Sequence, residues 1–418
     1  MKKKYQYRNI YKKELIIKMG VTMKEKVLIL GAGYAGSVVA NILARELRNK
    51  IAREELEITI LDKSDLNINQ GGFTFIPFEL YTPEEITRPR KKLISPRVKA
   101  LFGKDGEVTA VDLKNKEVTV RSDKKYGYDH LVIAMGCRAD INAVPGLVDD
   151  LNTFYTSIED AFKVRDLVEN INGGKVVVSV ASMPVPCPGA PVKFTFMLDS
   201  YLRNVKKNRD DVQLTLVWPM EPIGPPAFNK LVTEEFNQKN VEVIRNFPLA
   251  SVDANKKEIT SKNGNKINYD ILITVPPHKA PQVLIDSGLA GENGWLAADN
   301  ATLQYRGPAG NYDNVYVLGD LGPAEILKTG LGAHYQAIAV SQNLINDIYG
   351  NKIKTPYRGE TGCPIVTELE SPGTPGKGYI ATWKYGVPPA PFTTTKMGWF
   401  FYRMYYHIHW DISVKGMF

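Results

Sequence analysis

The chain has 418 residues, of which 44% are hydrophobic and 23% are charged, and its formal net charge is +8. This length predicts two or three domains, and this composition excludes a disordered chain. The positive charge would suit nucleic acid, but the basic residues form no long stripe and no nucleic-acid motif occurs, so we expect no nucleic-acid partner. No apolar run reaches the roughly 18 residues needed to span a bilayer.

Residues 1–24 are rich in lysine and arginine. They lack the apolar run that a secretion signal requires. We interpret them as a basic N-terminal arm and expect a protein of the cytoplasm.

The most informative local pattern begins with a short apolar strand, Lys26–Leu30, which leads into glycines at G-x-G-x-x-G spacing. The turn contains Gly31, Gly33, Tyr34, Ala35 and Gly36. Such a turn lets a pyrophosphate approach the backbone, and the predicted helix behind it, Ser37–Arg48, favours negative charge at its N-terminus. The next strand, Leu56–Leu61, ends at Asp62, an acid placed to accept ribose hydroxyls. The number of residues between Gly31 and Asp62 exceeds the spacing of about 20 residues that is usual for this motif. A plain βα turn also collects glycine, but this order of elements predicts a dinucleotide site.

A second α/β unit follows, with predicted strands at Gly174–Val180, Val212–Val217 and Tyr269–Pro276 and a helix at Val192–Val205. The chain then returns to the pattern of its first unit, an apolar strand that ends at a glycine and is followed by a helix. Here the short strand Asn314–Leu318 ends in Gly319 and Asp320, and a helix is predicted over Ala333–Tyr349. The predicted fold class is α/β, with two Rossmann-like domains and a C-terminal region. We divide the chain into the arm 1–24, a first domain of 25–137 and 300–350, a second domain of 138–299, and the C-terminal region 351–418.

Three strand ends together resemble the flavoprotein disulfide reductase superfamily: Gly31–Gly36, Ala134–Gly136 and Val317–Asp320. The resemblance covers about residues 26–350, and three ordered motifs are far more specific than one. It implies FAD, held at the first turn by its pyrophosphate and at Gly319 and Asp320 by its ribityl chain. The residues implied in cofactor binding are Gly31, Gly33, Tyr34, Ala35, Gly36, Asp62, Gly136, Cys137, Gly319, Asp320 and Lys328.

The chain departs from the pyridine-nucleotide users of that superfamily in its second unit. The strand Gly174–Val180 is followed by no glycine fingerprint, and Pro184 and Pro186 remove N–H donors that a pyrophosphate would need. The first domain also contains no C-x-x-C or C-x4-C pair. We therefore expect that the second unit has lost its nucleotide.

The order of the three cysteines narrows the resemblance to the sulfide:quinone oxidoreductase family. Cys137 follows Gly136, Cys187 lies in a Pro-rich loop, and Cys363 lies beyond the Gly-Asp motif. The resemblance implies that Cys187 and Cys363 form a redox-active pair, that Cys137 assists turnover and in some members is linked covalently to FAD, and that Lys328 approaches the flavin pyrimidine ring. Any single cysteine could instead be a buried structural residue. Cys187 could also cap the helix expected near Pro191, which would lower its pKa.

One family feature is missing. The second-domain histidine that many members carry is replaced by the stretch Trp218–Gly224, in which Glu221 is the alternative proton acceptor. The five histidines show no zinc spacing. The alternation of His407 and His409 suits an interfacial strand or turn as well as a metal, and we assign no metal.

The implied reaction oxidises sulfide to sulfur or polysulfide and passes two electrons through FAD to a membrane quinone. The segment Met397–Met404, with Lys396 and Arg403, predicts a peripheral anchor on the cytoplasmic face of the cell membrane. The competing interpretation of this segment is a hairpin buried against the first domain or in a homo-oligomer. Two alternative functions stay open: a type II NADH:quinone dehydrogenase, and the flavoprotein subunit of a sulfide dehydrogenase complex.

Overall fold

The computed structural model describes residues 24–322, 327–387 and 394–417, so that almost the whole predicted N-terminal arm lies outside the described residues. The strands of the first half are β1 Glu25–Leu30, β2 Leu56–Asp62, β3 Leu66–Ile68, β4 Thr87–Pro89, β5 Lys99–Phe102, β6 Val108–Asp112, β7 Glu117–Val120, β8 Lys125–Gly127, β9 His130–Ile133, β10 Arg138–Ala139 and β11 Gly174–Val180. Those of the second half are β12 Val212–Val217, β13 Glu242–Ile244, β14 Leu249–Asp253, β15 Glu258–Ser261, β16 Lys266–Asn268, β17 Ile271–Val275, β18 His278–Lys279, β19 Gln304–Gly307, β20 Gly310–Val317, β21 Thr361–Glu368 and β22 Lys377–Trp383.

The described helices include nine α-helices in chain order. They are α1 Tyr34–Glu46, α2 Arg48–Ala52, α3 Pro83–Ile86, α4 Ile158–Glu169, α5 Gly189–Tyr201, α6 Pro226–Gln238, α7 Gln282–Asp286, α8 Gly330–Ile348 and α9 Lys396–Ile408. A single π-helical turn, His409–Ser413, continues α9. No helix within residues 24–322, 327–387 and 394–417 has the length and apolar character that a membrane span requires.

The first large sheet has the strand order β19-β20-β9-β1-β2-β5. Its central strands run parallel, with β1 between β2 and β9 and with β20 beside β9. Parallel strands covered on both faces are apolar throughout, and β1 accordingly buries its last four residues. Helices α1 and α8 pack against each other over this sheet. The carboxyl ends of β1, β9 and β20 therefore meet at one edge, and the three sequence motifs lie there together.

The second sheet is fully parallel, in the order β13-β12-β11-β17. Helix α5 follows β11 and is almost entirely buried. The predicted α/β fold with two Rossmann-like units is confirmed. The predicted helix over Val192–Val205 begins earlier, at Gly189, and ends in a π-helical turn over Leu202–Lys206.

The C-terminal region consists of the antiparallel hairpin β21–β22 and helix α9. Strand β21 packs on α5 and α8, whereas α9 packs on β22. The expectation of an interfacial strand or turn at His407 and His409 is wrong, because His407 lies in α9 and His409 begins the π-helical turn.

Helix α9 divides its aromatic residues between two faces. Three of them are buried, namely Trp399, Tyr402 and Tyr406, and so is Trp410 in the π-helical turn that follows. Tyr402 stacks on Phe75 at a ring distance of 4.6 Å, and Tyr406 stacks on Tyr81 at 3.8 Å. The prediction of a membrane anchor over Met397–Met404 is therefore wrong for Trp399 and Tyr402, and all four buried aromatic residues fix α9 and its π-helical turn to the protein. Its opposite face exposes a second set: Met397, Phe400, Phe401 and Met404.

Candidate active site

The glycine turn between β1 and α1 is closed on one side and open on the other. Gly31 has φ +93°, and a side chain there would clash with the carbonyl of Ala134 at the end of β9. A side chain on Gly36 would likewise clash with the carbonyl of Gly31. A Cβ atom on Gly33, in contrast, would meet no atom within 4 Å. Gly33 is also the N-cap of α1 and offers no side-chain cap, so the helix N-terminus faces open space, as pyrophosphate binding requires.

Asp62 lies at the end of β2 beside this turn. One of its oxygens accepts a hydrogen bond from the Ala32 N–H at 2.8 Å and pairs with the Arg90 guanidinium at 3.3 Å. Arg90 donates a further bond from Nε to the Ser64 carbonyl at 2.9 Å. Its Nη1 atom is buried and has no hydrogen-bond partner among the described residues, and burial lowers the pKa of this guanidinium. A buried unpaired donor beside a dinucleotide turn fits an anionic or polar part of the cofactor.

Sequence reasoning missed Arg90. It lies in a basic run, Arg88–Lys92, whose other members resemble ordinary surface residues in the sequence. Only its packing against Asp62 distinguishes it.

The Gly-Asp motif after β20 lies against the first turn, as the resemblance implied. Gly319 has φ +74°, and a Cβ atom on it would contact the Cβ of Ala35 at 3.4 Å. The Gly319 N–H is held by the Gln336 side chain of α8 at 2.8 Å. Burial raises the pKa of Asp320, and the nearby charge of Lys328 opposes this shift. Gly319 therefore holds Asp320 at the edge of the sheet where α1 begins.

Lys328 is buried, with 4% of its surface exposed. Its Nζ donates to the Gly322 carbonyl at 3.2 Å and lies 4.4 Å from the ring centre of Trp295. Burial lowers the pKa of Lys328, whereas Asp320 and Cys137 act in the opposite direction. The structure therefore brings these three predicted residues into one electrostatic cluster.

Cys137 follows Gly136, whose φ is +64°. Burial and the charge of Asp320 raise the pKa of the Cys137 thiol, and Lys328 opposes them. Cys137 is thus held as a neutral thiol beside the Gly-Asp motif. Its roles in turnover and in a covalent flavin link stay predictions.

The sulfur atoms of Cys187 and Cys363 lie 3.7 Å apart. Cys187 precedes α5 in the left-handed backbone region at φ +45°, and Cys363 lies in β21 with 3% exposure. The Cys187 N–H donates to the Lys328 carbonyl at 2.5 Å, and its own carbonyl accepts from the Tyr155 hydroxyl at 3.0 Å. These contacts hold the pair beside the Lys328 segment.

The two thiols have different acidities. The hydrogen bond between the two thiols lowers the pKa of Cys187 to about 7, with Lys193 acting in the same direction and burial opposing it. The same hydrogen bond, together with burial, raises the pKa of Cys363. Cys187 is therefore the more acidic thiol of the pair. The expected helix cap is wrong, because α5 begins at Gly189 with Pro188 as its N-cap and has no side-chain cap.

Two further residues at this pair were missed by sequence reasoning. Lys193 of α5 is 4% exposed, donates to the Pro364 carbonyl at 3.4 Å, and lies 5.1 Å from the ring centre of Phe75. A lysine inside an otherwise apolar helix could have been recognised from the sequence, because a buried charge requires a partner. Tyr155 has a raised pKa, first from burial and then from the charges of Cys187, Cys363, Asp320 and Cys137, so it lies between the two clusters.

The N-terminus of α5 is the place where a second pyrophosphate would bind in a Rossmann unit. Here a Cβ atom on Gly189 would lie 2.7 Å from the Cys363 sulfur and 2.9 Å from the Ile365 side chain. Strand β21 therefore fills that position. This packing agrees with the absence of a second glycine fingerprint.

Glu221, the alternative proton acceptor, does not lie with the cysteine pair. It is exposed, and its carboxylate accepts from the Asn246 side chain at 2.5 Å. Glu221 is near the expected histidine position in sequence, but the fold does not bring it to the cysteine pair. Its location at the surface does not support a role in catalysis.

Two dinucleotide-type folds with a close pair of cysteines, Cys187 half-buried and Cys363 buried, define a disulfide-oxidoreductase class of protein. A family model described as pyridine nucleotide-disulphide oxidoreductase matches residues 25–339. The chain belongs to this family.

The chain is similar to two relatives and to one solved structure. The mitochondrial sulfide:quinone oxidoreductase of Dictyostelium discoideum is 28% identical over 94% of this chain and 86% of its own length. The sulfide-quinone reductase of Aquifex aeolicus is 24% identical over 82% of this chain and 81% of its own length. The solved structure of the sulfide:quinone oxidoreductase from Aquifex aeolicus superposes with a TM-score of 0.77 at 20% identity and covers 94% of this chain and 92% of its own.

Proposed function

We propose that this protein oxidises sulfide to sulfur or polysulfide and transfers two electrons through FAD to a membrane quinone. The observation that carries the proposal is the close pair Cys187 and Cys363, with sulfurs 3.7 Å apart, joined to the Lys328 segment by the Cys187 N–H. The names of the relatives at 24% and 28% identity support the same substrates. The filled position at Gly189 argues against NADH as the donor.

FAD is the proposed cofactor. The open face of Gly33 would hold its pyrophosphate and the buried Nη1 of Arg90 its adenosine, while Asp320 would hold the ribityl chain and Lys328 would lie at the pyrimidine ring. Bound FAD would accept two electrons from the sulfur chemistry and pass them to the quinone. Lys328 would stabilise negative charge at the reduced cofactor.

The cysteine pair would act in its bridged state. HS⁻ attacks the sulfur of Cys363, a new S–S bond forms there, and the bond to Cys187 breaks, so that Cys187 leaves as a thiolate. The charge of Lys193, which lowers the pKa of Cys187, favours this thiolate as the leaving group. The bridge would then re-form with the added sulfur retained, a step that releases one proton from the persulfide and two electrons, which bound FAD would accept. Lys193 stabilises the anionic sulfur at each stage.

The quinone requires contact with a bilayer. We assign this contact to the exposed face of α9, where Met397, Phe400, Phe401 and Met404 project beside Lys396 and Arg403. Apolar side chains flanked by cations suit the boundary of an anionic membrane. The protein would thus be a peripheral membrane protein.

A steady-state assay tests the proposal. FAD-loaded protein is given a soluble quinone analogue with sulfide or with NADH as the sole donor. We expect quinone reduction with sulfide and none above background with NADH. NADH-dependent reduction without sulfide-dependent reduction would overturn the proposal in favour of a type II NADH:quinone dehydrogenase.

A further inference from the structure

Helix α9 contributes one side chain to the surroundings of the cysteine pair. Tyr402 is 7% exposed, and its ring stacks on that of Phe75 at a centre-to-centre distance of 4.6 Å. The Nζ atom of Lys193 lies 5.1 Å from the ring centre of Phe75 and 5.7 Å from that of Tyr402. Both distances fall within the roughly 6 Å at which an aromatic face attracts a cation. We call Phe75 and Tyr402 the aromatic pair; it contacts a buried cation of α5 and takes one of its rings from α9.

Few other groups stabilise the Lys193 ammonium. Its hydrogen bond goes to the Pro364 carbonyl at 3.4 Å, and it forms no ion pair with a carboxylate among the described residues. A buried charge is unfavourable unless it has a partner, and an aromatic face stabilises a cation most where water is excluded. An aromatic face is also neutral, so it holds the ammonium without cancelling its charge as a carboxylate would. The positive charge of Lys193 therefore remains available to the groups beside it.

The groups beside Lys193 include the two thiols. Gly189 and Lys193 are four residues apart in α5 and so lie on one face of that helix. A Cβ atom on Gly189 would lie 2.7 Å from the Cys363 sulfur. The carbonyl that Lys193 binds belongs to Pro364, the residue after Cys363 in β21. The charge of Lys193 accordingly lowers the pKa of Cys187 and opposes the raised pKa of Cys363. A contact that fixes the ammonium therefore acts on both thiols.

The other titratable groups that interact with the thiols include Asp320, Tyr155, Tyr379 and Tyr405. The charge of Asp320 opposes the lowered pKa of Cys187. Burial raises the pKa of each of the three tyrosines, so their hydroxyls stay neutral near pH 7 and supply no positive charge. Lys193 is therefore the cation that favours a thiolate at this pair.

Close packing of α9 on the C-terminal hairpin fixes the position of Tyr402. A side chain on Gly398, one helical turn before Tyr402, would clash with the Gly378 carbonyl of β22. Strand β22 pairs in turn with β21, where Ala381 lies opposite Cys363. The helix whose exposed face is assigned to the membrane is thus packed against the strands that carry one of the two thiols.

We propose that the aromatic pair positions Lys193 beside the cysteine pair, so that helix α9 supports the sulfur chemistry as well as the membrane contact; this inference rests on the proposed function. Phe75 and Tyr402 are positioning residues, because they act on the thiols through Lys193. Without the Tyr402 ring, the ammonium loses one of its two aromatic faces and is held less firmly at the pair. The thiolate of Cys187 is then less stable.

Alkylation of Cys187 measures this effect without sulfide or quinone. FAD-loaded protein is treated with a phosphine reductant, freed of it and alkylated with iodoacetamide over a range of pH, and peptide mass spectrometry assigns the label to Cys187. Tyr402→Leu should raise the pH midpoint of alkylation and slow the reaction near pH 7 about threefold, whereas Tyr402→Phe, which keeps the ring, should match wild type. The matched control is Tyr406→Leu, because Tyr406 is also 7% exposed on α9 but stacks on Tyr81. It should leave the midpoint unchanged.

A double variant shows whether the effect passes through Lys193. Lys193→Met should raise the midpoint at least as much as Tyr402→Leu, and Tyr402→Leu added to Lys193→Met should raise it no further. The inference is overturned if Tyr402→Leu matches wild type, if Tyr406→Leu raises the midpoint equally, or if Tyr402→Leu keeps its full effect in the double variant. Should Tyr402→Leu fail to fold, pentafluorophenylalanine at position 402 keeps the ring shape and reverses its charge distribution. It should raise the midpoint relative to Tyr402→Phe, and equal midpoints would overturn the inference.

Failure of the proposed function gives different results. If Lys193→Met raises the midpoint and Tyr402→Leu does not, the inference alone fails. If Lys193→Met also matches wild type, Lys193 does not stabilise the leaving thiolate, and that step of the proposed function fails with the inference. Absence of sulfide-dependent quinone reduction by wild-type protein, in the steady-state assay above, would instead reject the proposed function.

Discussion

The sulfur atoms of Cys187 and Cys363 lie 3.7 Å apart although 176 positions separate them in the chain. Strand β21 crosses the N-terminus of α5 and places Cys363 beside Cys187. The same crossing fills the position of a second pyrophosphate. One packing arrangement therefore builds the thiol pair and covers the N-terminus of α5.

The first prediction concerns the acidity of Cys187. Since its pKa is lowered to about 7, the thiolate fraction should rise as the pH increases through 7, and alkylation by iodoacetamide should follow with a midpoint near that pH. Cys363→Ala should raise this midpoint most, because it removes the largest cause, and Lys193→Met should raise it less. Peptide mass spectrometry after timed alkylation measures the midpoints. A Cys187 midpoint near that of an ordinary thiol in wild-type protein would contradict the geometry.

Serine substitution at each cysteine should separate their roles. Cys187→Ser and Cys363→Ser should abolish sulfide-dependent quinone reduction and leave FAD bound, since neither residue lies at the glycine turn. Cys137→Ser should reduce activity less. If a covalent link exists, acid precipitation should release FAD into the supernatant from Cys137→Ser and not from wild type. Full activity of either of the first two variants would show that the pair is not the redox centre.

Arg90 should contribute to cofactor affinity. Arg90→Gln removes the buried guanidinium and should weaken FAD binding about tenfold, or about 1.4 kcal/mol. Titration of the apoprotein with FAD, followed by flavin fluorescence, gives the dissociation constant. Lys91→Gln is the matched control, because Lys91 is exposed in the same turn and should leave the affinity unchanged. Equal affinities of both variants would exclude Arg90 from the cofactor site.

Membrane binding should depend on the exposed face of α9. The double variant Phe400→Ser/Phe401→Ser should lose cosedimentation with anionic liposomes and retain FAD and reduction by sulfide. Val148→Ser, which alters a similarly exposed residue elsewhere, is the control. Salt alone should release the wild type only partly, because apolar insertion is not screened. Unchanged sedimentation of the double variant would place the membrane contact elsewhere.

Point substitutions suit this test better than truncation. Residues beyond α9 pack on the first domain, where Asn41 donates to the Val414 carbonyl at 3.1 Å and Arg45 to the Gly416 carbonyl at 2.8 Å. Removal of the tail would therefore uncover α1 beside the dinucleotide turn.

Local patterns made much of this architecture predictable. Consecutive residues predict the turn from Gly31 to Gly36 and the end of β20 at Gly319, because close approach of the backbone requires glycine at these positions. Arg90 and Tyr155 were not predictable, since only tertiary packing brings them to the site. For α9 the signal was present and was missed: Trp399, Tyr402, Tyr406 and Trp410 recur at helical spacing, which predicts one buried face.

The most direct test of the central claim is anaerobic stopped-flow reduction of the FAD-loaded protein by sulfide and, separately, by NADH. We predict rapid bleaching of the flavin absorbance by sulfide, loss of that phase in Cys187→Ser, and bleaching by NADH that is slower by orders of magnitude. Rapid bleaching by NADH alone, with sulfide inert, would contradict the assignment.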